Sequence, residues 1–214
     1  MIRIVIADDH AIVREGLKRI ITSADDMAVV GEAADGTEVM QQVRESEFDL
    51  LVLDLSMPGR SGMELIKLIR GEKPKLKILV LSMHEELQYA VRAIKSGASG
   101  YLTKESAPTQ LMQVLRKIAA GGAFISSGVA EQLALGSMMG GTAAVHEKLT
   151  DREFEVFRLI AIGMSVTDIA MRLNLSAKTI STHKANLMQK MNLQNQSELI
   201  RYAIKHGVTE PLEP

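Results

Sequence analysis

Cysteine is absent from this chain of 214 residues. Its absence excludes disulfide bonds, zinc sites built from cysteine and cysteine nucleophiles. Long hydrophobic runs are also lacking, because runs such as Leu50–Leu53 and Ile78–Leu81 fall far short of the ~20 residues that a membrane-spanning helix needs. The first apolar run ends in two acids, Asp8 and Asp9, which is unlike a cleavable signal peptide. We therefore expect a cytoplasmic protein with no membrane partner.

The chain also lacks an excess of positive or negative residues, since its net charge is −1 at pH 7. The distribution is nevertheless uneven, because no acidic residue occurs between Asp168 and Glu198. The same stretch contains four basic residues, namely Arg172, Lys178, Lys184 and Lys190. A local basic strip is typical of a DNA-binding surface, although a solvated helix face has the same appearance.

The composition, with 46% hydrophobic and 24% charged residues, is that of a folded protein. Over residues 1–121, apolar runs typical of buried parallel strands alternate with helical spacings such as Val13, Leu17 and Ile20. The five candidate strands are Ile2–Ala7, Met27–Ala33, Leu50–Leu53, Ile78–Leu81 and Ser99–Leu102. We predict an α/β domain with a five-stranded parallel doubly wound sheet of the flavodoxin-like type.

The pattern loosens over residues 122–147, which we interpret as a linker with a short helix over Ser127–Leu135. Helical patterning resumes at Leu149, and Thr150-Asp151-Arg152-Glu153 predicts a capping box at the start of a helix. No strand-like run follows. The sequence therefore predicts a small all-α domain over residues 148–214.

Polar residues follow four of the five predicted strands. They are Asp8 and Asp9 after the first strand, Asp54 after the third, Ser82 after the fourth and Lys104 after the fifth. We expect these residues to lie together, because ligands of a parallel sheet bind beyond the carboxyl ends of its strands. Neighbouring carboxylates raise one another's pKa unless a cation compensates, and Mg²⁺ suits a site of few carboxylates. Taken singly, the same residues can serve as helix caps, a turn residue and a solvated lysine.

The set Asp8-Asp9, Asp54 followed by Met57-Pro58-Gly59, Ser82 and Gly100-Tyr101-Leu102-Thr103-Lys104 resembles the receiver domain of two-component response regulators. The resemblance implies that Asp54 is the phosphoacceptor. It also implies that Asp8 and Asp9 bind Mg²⁺ together with Asp54 and the backbone carbonyl of Ser56.

The same resemblance assigns three further residues. It implies that Ser82 bonds a phosphoryl oxygen, that Lys104 pairs with the phosphoryl group and that Tyr101 is the switch aromatic. Threonine is commoner at the position of Ser82, so this chain keeps the hydroxyl donor and lacks a methyl group.

The stretch Val166–Ala185 predicts a helix-turn-helix. Asn174 tolerates a left-handed turn, and Ser176 is a good N-cap for the second helix. The outward face of that helix carries Lys178, Thr179, Ser181, Thr182 and Lys184. Helical hairpins also occur in proteins that bind no DNA, so the pattern alone leaves both interpretations open.

A longer set of motifs favours the DNA-binding interpretation of this helix-turn-helix. The runs Leu149-Thr150-Asp151-Arg152-Glu153, Lys178-Thr179-Ile180-Ser181-Thr182-His183 and Glu198-Leu199-Ile200 resemble the LuxR-type DNA-binding domain. Joined to a receiver, this domain is similar to the NarL/FixJ class of response regulators. The resemblance implies a sensor histidine kinase and double-stranded DNA as partners, and a homodimer when the chain is phosphorylated or DNA-bound.

The implied DNA contacts and dimer contacts lie on two helices. Thr179, Ser181, Thr182 and Ala185 would face DNA, and we expect Lys178 and Lys184 to contact the duplex through charge. Dimer contacts would lie on a final helix over residues 196–206, where Leu199, Ile200 and Ala203 are apolar. We expect at least two of these three to pack within their own domain.

These inferences favour a transcription regulator controlled by phosphorylation, and not an enzyme. One alternative is a phosphohydrolase that uses Asp54 as a transient nucleophile. Such hydrolases carry a second aspartate two residues later, where this chain has Ser56. The other alternative is a DNA-binding protein that has lost phosphorylation control, which the intact set of polar residues at the strand ends disfavours.

Overall fold

The computed structural model describes residues 1–57, 62–83, 87–138 and 145–208, in two compact units, Met1–Gly140 and Gly141–Pro214. The first unit contains β1 (Ile2–Ala7), α1 (Ala11–Thr22), β2 (Met27–Ala33), α2 (Gly36–Glu45), β3 (Leu50–Asp54), α3 (Gly62–Glu72), β4 (Lys77–Ser82), α4 (Leu87–Lys95), β5 (Gly100–Thr103), α5 (Ala107–Ala119) and α6 (Ser127–Met138). The second contains a 3-10 helix (Val145–Lys148), α7 (Asp151–Ala161), α8 (Val166–Arg172), α9 (Ala177–Met191) and α10 (Gln196–Lys205). Along these described ranges, none of the helices is long and apolar enough to span a membrane.

The first unit has the predicted fold. Its five strands are parallel and lie in the order β2-β1-β3-β4-β5. All residues of β3 are buried, as its continuous apolar run predicts for a strand covered on both faces. The order reverses direction between β1 and β3, which is where ligands bind in doubly wound sheets. Asp54 and Ser82 are the last residues of β3 and β4, and this places both at the ligand-binding edge.

The segment after α5 belongs to the first unit, whereas the sequence predicts a linker over residues 122–147. The backbone of Phe124 pairs with β5, since Tyr101 N–H donates to the Phe124 carbonyl (3.1 Å) and Phe124 N–H donates to the Ser99 carbonyl (3.2 Å). Gly100 permits this approach, because a Cβ there would lie 2.8 Å from Ile118 Cδ1 and 3.0 Å from the Phe124 carbonyl oxygen. Val129 of α6 is buried, and α6 packs against α4. A spacing pattern cannot detect such a backbone pairing, so the predicted linker begins too early.

The second unit is all-α, and its helix-turn-helix follows the sequence closely. Asn174 has a φ of 51°, which is the left-handed turn, and the side chain of Ser176 accepts a hydrogen bond from Thr179 N–H as the N-cap of α9. Ile180 is fully buried between the helices. His146, in the 3-10 helix, is buried as well, and its Nδ1 lies 3.1 Å from the hydroxyl of Tyr202 in α10.

The predicted capping box is present at the start of α7. Thr150 Oγ1 accepts from Glu153 N–H (3.3 Å), and Glu153 Oε2 accepts from Thr150 N–H (2.9 Å) and lies 2.7 Å from Lys190 Nζ. Burial raises the pKa of Glu153, but the hydrogen bonds from Lys190 and Thr150 outweigh burial and lower it overall. A lowered pKa means that this carboxylate stabilises the fold above its unfolded pKa, and that this contribution is lost as the pH falls through the folded value.

Replacing Lys190 with methionine is therefore expected to destabilise the second unit by about 1 kcal/mol at neutral pH, because a half-exposed ion pair is lost. The deficit should shrink as the pH falls through the lowered folded pKa of Glu153, since the protonated side chain no longer needs the ammonium. Hydrogen exchange of the α7 amides in the full chain measures this change. Glu153→Gln is the matched control, since glutamine also completes a capping box. Equal deficits at all pH values would contradict the assignment.

Candidate functional site

The carboxyl ends of β1, β3 and β4 bring three buried polar side chains to one edge of the sheet. Asp8 follows β1, Asp54 ends β3 and Ser82 ends β4. Asp8 and Asp54 are each only 1% exposed, and Ser82 is fully buried. Burying charged or polar groups without partners is costly, so this edge is built for ligands or counter-charges.

Lys104 supplies the counter-charge. Its Nζ lies 2.6 Å from Asp8 Oδ2 and 2.9 Å from Asp54 Oδ2, and its backbone N–H donates to the Ser82 carbonyl (2.8 Å). Burial lowers the pKa of Lys104, but hydrogen bonds and attraction from Asp8 and Asp54 outweigh it, so the pKa is raised. Lys104 therefore stays an ammonium held between the two carboxylates.

Asp54 is held from both sides. Its Oδ2 faces Lys104, and its Oδ1 accepts a hydrogen bond from Ser56 N–H (3.1 Å) in the turn after β3. Burial is the largest influence on the pKa of Asp54 and raises it, and the hydrogen bond and charge of Lys104 oppose that effect without cancelling it. The result is an oriented carboxyl group with little access to water.

Asp9 lies beside Asp8 and Asp54 and is partly exposed. Its Oδ1 lies 2.9 Å from Nδ1 of His10, and the same nitrogen lies 3.2 Å from Asp8 Oδ1. Ligand atoms of Asp8, Asp9, His10 and Asp54 all lie within 4.8 Å of one another. Three carboxylates against one ammonium leave a negative site that suits a divalent cation with oxygen ligands.

Two neighbours of the site were missed by sequence reasoning. His10 could have been identified from the sequence, because it directly follows Asp8 and Asp9. Arg14 donates from Nη1 to the Asp8 carbonyl (2.6 Å) and lies 3.4 Å from Glu32, so it fixes the backbone where β1 ends. Its only signal in the sequence is a spacing of one helical turn from His10, which alone has little meaning.

The remaining predicted residues of the first unit lie near Asp54 and Lys104 in the sequence. Ser56 follows Asp54 in the turn, and Tyr101 lies in β5 three residues before Lys104. The Tyr101 ring is nearly buried and lines a cavity of about 250 Å³, whose wall also includes Leu87 of α4 and Val129 of α6. Met57 is buried, whereas Pro58 and Gly59 of the predicted motif lie outside the described residues.

In the second unit, α9 presents the predicted residues in two different ways. Lys178, Ser181 and Thr182 are exposed. Thr179 is half-buried, and its hydroxyl lies 2.8 Å from Ser176 Oγ within the cap. Lys184 is also half-buried, and its Nζ donates to Gln196 Oε1 of α10 (2.9 Å). The helix thus has an exposed face flanked by two residues that contact neighbouring groups.

The final helix, α10, divides its apolar side chains between the core and the surface. Leu199 and Ala203 are fully buried, as expected for packing within their own unit. Ile200 is half-buried, and Ile204 is 41% exposed. Ile204 therefore exposes apolar atoms on the surface of α10.

Both units match known families. Residues 4–116 match the family model described as the response regulator receiver domain, and residues 147–203 match the one described as bacterial regulatory proteins, luxR family. The chain is similar to the oxygen regulatory protein NreC of Staphylococcus carnosus (strain TM300). The two are 39% identical over 210 residues, which cover 95% of this chain and 97% of NreC.

Solved structures of a second relative are also similar. One is RcsB from Salmonella enterica serovar Typhimurium bound to promoter P1flhDC in the presence of the phosphomimetic BeF₃⁻. It is 34% identical, covers 97% of this chain and 99% of that chain, and has a TM-score of 0.59. Another contains two RcsB dimers bound to two parallel DNAs, with 33% identity, the same coverage of 97% and 99%, and a TM-score of 0.58.

Proposed function

Since this chain belongs to the two-component response regulators of the NarL/FixJ class, we propose that phosphorylation of Asp54 by a sensor histidine kinase controls its sequence-specific binding to double-stranded DNA and hence transcription. The observation that carries the proposal is the contact of Lys104 with both Asp8 and Asp54 at the buried carboxyl edge of the sheet. A cytoplasmic location follows from a DNA partner. We assign the domain roles as the sequence predicts them: residues 1–121 receive the phosphoryl group, and residues 148–214 bind DNA.

The chain contributes little covalent chemistry to the transfer beyond the nucleophile itself. A carboxylate oxygen of Asp54 bonds to the phosphorus of a phosphohistidine, the phosphorus–nitrogen bond breaks, and the histidine leaves. A carboxylate is a weak nucleophile, so rate enhancement must come from positioning and from neutralising charge on the phosphoryl oxygens. Ser56 N–H and Lys104 orient Asp54, and Lys104 offers its ammonium to a phosphoryl oxygen.

We infer that Asp8, Asp9 and Asp54 also hold Mg²⁺, with the backbone carbonyl of Ser56 as a further ligand. The three carboxylates fit a hard divalent cation, because one ammonium leaves them undercompensated. Bound Mg²⁺ would neutralise charge on the phosphoryl oxygens during transfer. Ser56 leaves the position of a second acid–base aspartate unfilled, so we expect negligible turnover of phosphate esters.

The phosphoryl group carries about two negative charges next to Lys104 and Ser82, in place of the single charge of the Asp54 carboxylate. We propose that Ser82 donates its hydroxyl to a phosphoryl oxygen and that the Tyr101 ring turns in response. Tyr101 is well placed to pass the change on, because its backbone is bonded to Phe124 and its ring lines the cavity beneath α6. The segment that leads toward the second unit is thereby coupled to the phosphorylation site.

The output is binding of α9 in the major groove, with α8 bracing it, as in other helix-turn-helix proteins. One such module reads few base pairs, so two modules on a two-fold axis are needed for affinity. The RcsB dimers solved on DNA support a homodimer for this chain, and the surface of α10 that includes Ile204 is available for it.

Phosphoryl transfer is expected to need a divalent cation. Incubation of the full chain with a phosphorylated histidine kinase and Mg²⁺ should label it with one phosphoryl group. Chelation of Mg²⁺ by EDTA should stop labelling, and added Mg²⁺ should restore it. Labelling at an equal rate in EDTA would contradict the magnesium site, and absence of label in every condition would contradict the proposed function.

A further inference from the structure

The exposed sector of α9 carries hydroxyl groups, a methyl group and an ammonium group. Over residues 178–185, its four exposed residues, in order around the helix, are Ser181, Ala185, Lys178 and Thr182, and they span about 100° of the circumference at 3.6 residues per turn. Ile180, Leu187 and Met191 lie on the opposite side and are buried. A methyl group and one ammonium thus occupy the middle of the sector, with a hydroxyl on either side.

Both hydroxyl hydrogens are already used inside the helix. Ser181 Oγ donates to the Ala177 carbonyl (2.9 Å), and Thr182 Oγ1 donates to the Lys178 carbonyl (3.0 Å). A backbone carbonyl can only accept, so the hydroxyl must be the donor in each pair. What these two side chains present to a partner is therefore an oxygen with a free lone pair. Lys178 is the donor of the sector.

Thr179 and Lys184 lie outside this sector, on opposite flanks. The Thr179 hydroxyl is occupied by the Ser176 cap, and Lys184 is held by Gln196 at the start of α10. Thr179 thus positions the first turn of α9 although the resemblance implies that it faces DNA. Lys184 keeps its charge, and it can anchor a phosphate at the edge of the groove.

We propose that Ser181 and Thr182 read DNA as hydrogen-bond acceptors, so that α9 selects half-sites with adenine or cytosine amino groups opposite them and a thymine methyl group against Ala185. In the major groove the only base donors are adenine N6 and cytosine N4, and only thymine carries a methyl group. An A·T pair offers both features at once and fits this sector best. The inference rests on the proposed function and specifies the DNA that it recognises.

The test begins with selection of bound sequences from random duplexes by the full, phosphorylated chain. In the selected half-site, single adenines are then replaced by nebularine, cytosines by pyrimidin-2-one and thymines by uracil. These bases lack only the amino group or the methyl group. We expect one or two amino deletions to weaken binding by about 3- to 10-fold, the worth of one hydrogen bond, and substitutions outside the half-site to have no effect.

Variants of the chain assign each effect to a residue. In Ser181→Ala and Thr182→Val, the penalty for deleting the amino group opposite that residue should vanish, as a double-mutant cycle detects. Thr182→Ser is the matched control, because it keeps the acceptor and loses only the methyl group. Circular dichroism of each variant checks that the helix is intact.

The outcomes separate the two claims. Penalties that persist unchanged in Ser181→Ala and Thr182→Val would overturn the inference alone, as would selected half-sites with only guanine or thymine oxygens opposite these residues. Failure to select any sequence would overturn sequence-specific binding, and with it both claims.

Discussion

Asp54→Ala is expected to abolish phosphorylation of the chain. The side chain of Asp54 is the carboxyl group that Lys104 and Ser56 orient together. Asp8 contacts Lys104 and accepts from the His10 N–H, and Asp9 contacts His10 at the margin of the site, so we expect neither to replace Asp54. Transfer of label from a phosphorylated kinase measures the effect, with the label counted per chain.

Asp25→Asn is a matched control for that experiment, because Asp25 is an exposed carboxylate that precedes the amino end of β2, whereas the site lies at the carboxyl ends of the strands. It should be labelled like the wild type. Stoichiometric label on Asp54→Ala would place the phosphoryl group on another residue and refute the assignment.

Lys104→Ala is expected to separate phosphoryl transfer from the response to it. The variant should still accept a phosphoryl group, since the nucleophile and the three carboxylates remain. It should lose most of the gain in DNA affinity on phosphorylation, because the phosphoryl group then has no ammonium to pair with at the end of β5, the strand that carries Tyr101. Label uptake and operator titration on the same sample measure the two properties.

The same variant also tests the electrostatics of the site. Removing the ammonium leaves the buried carboxylates of Asp8 and Asp54 without a counter-charge, which should lower the free energy of unfolding by about 3 kcal/mol in EDTA. Mg²⁺ should restore part of the loss, since a cation that binds only the folded chain stabilises it. Denaturant unfolding of the full chain, with and without Mg²⁺, gives both values. Unchanged stability in EDTA would show that Lys104 does not compensate these acids.

The sheet and the core of the site could be predicted because both are local in sequence. Buried parallel strands are continuous apolar runs, and the polar residue at which each run stops marks the carboxyl edge. Asp8, Asp54 and Ser82 were found in that way. The capping box at Thr150 and the turn at Asn174 are local as well, and they were predicted for the same reason.

The features that were missed depend on contacts between distant segments. The pairing of Phe124 with β5 uses backbone atoms, so no residue type reveals it, and the burial of Val129 follows from that pairing. Likewise, the contact of Lys184 with Gln196 depends on the angle between α9 and α10. A helical wheel shows which side of α9 carries Thr179, but it does not show that the cap occupies the hydroxyl.

The central claim is that phosphorylation of Asp54 shifts an equilibrium toward a dimer that binds DNA, which requires the modification to favour one state over the other. The most direct test titrates a two-half-site operator, with centres ~10 bp apart, against the chain with and without beryllofluoride, and follows its sedimentation in parallel. We predict tighter binding by about 10-fold or more and a shift from monomer to dimer, both absent in Asp54→Ala. Operator affinity and oligomeric state that both stay unchanged with beryllofluoride would contradict the claim.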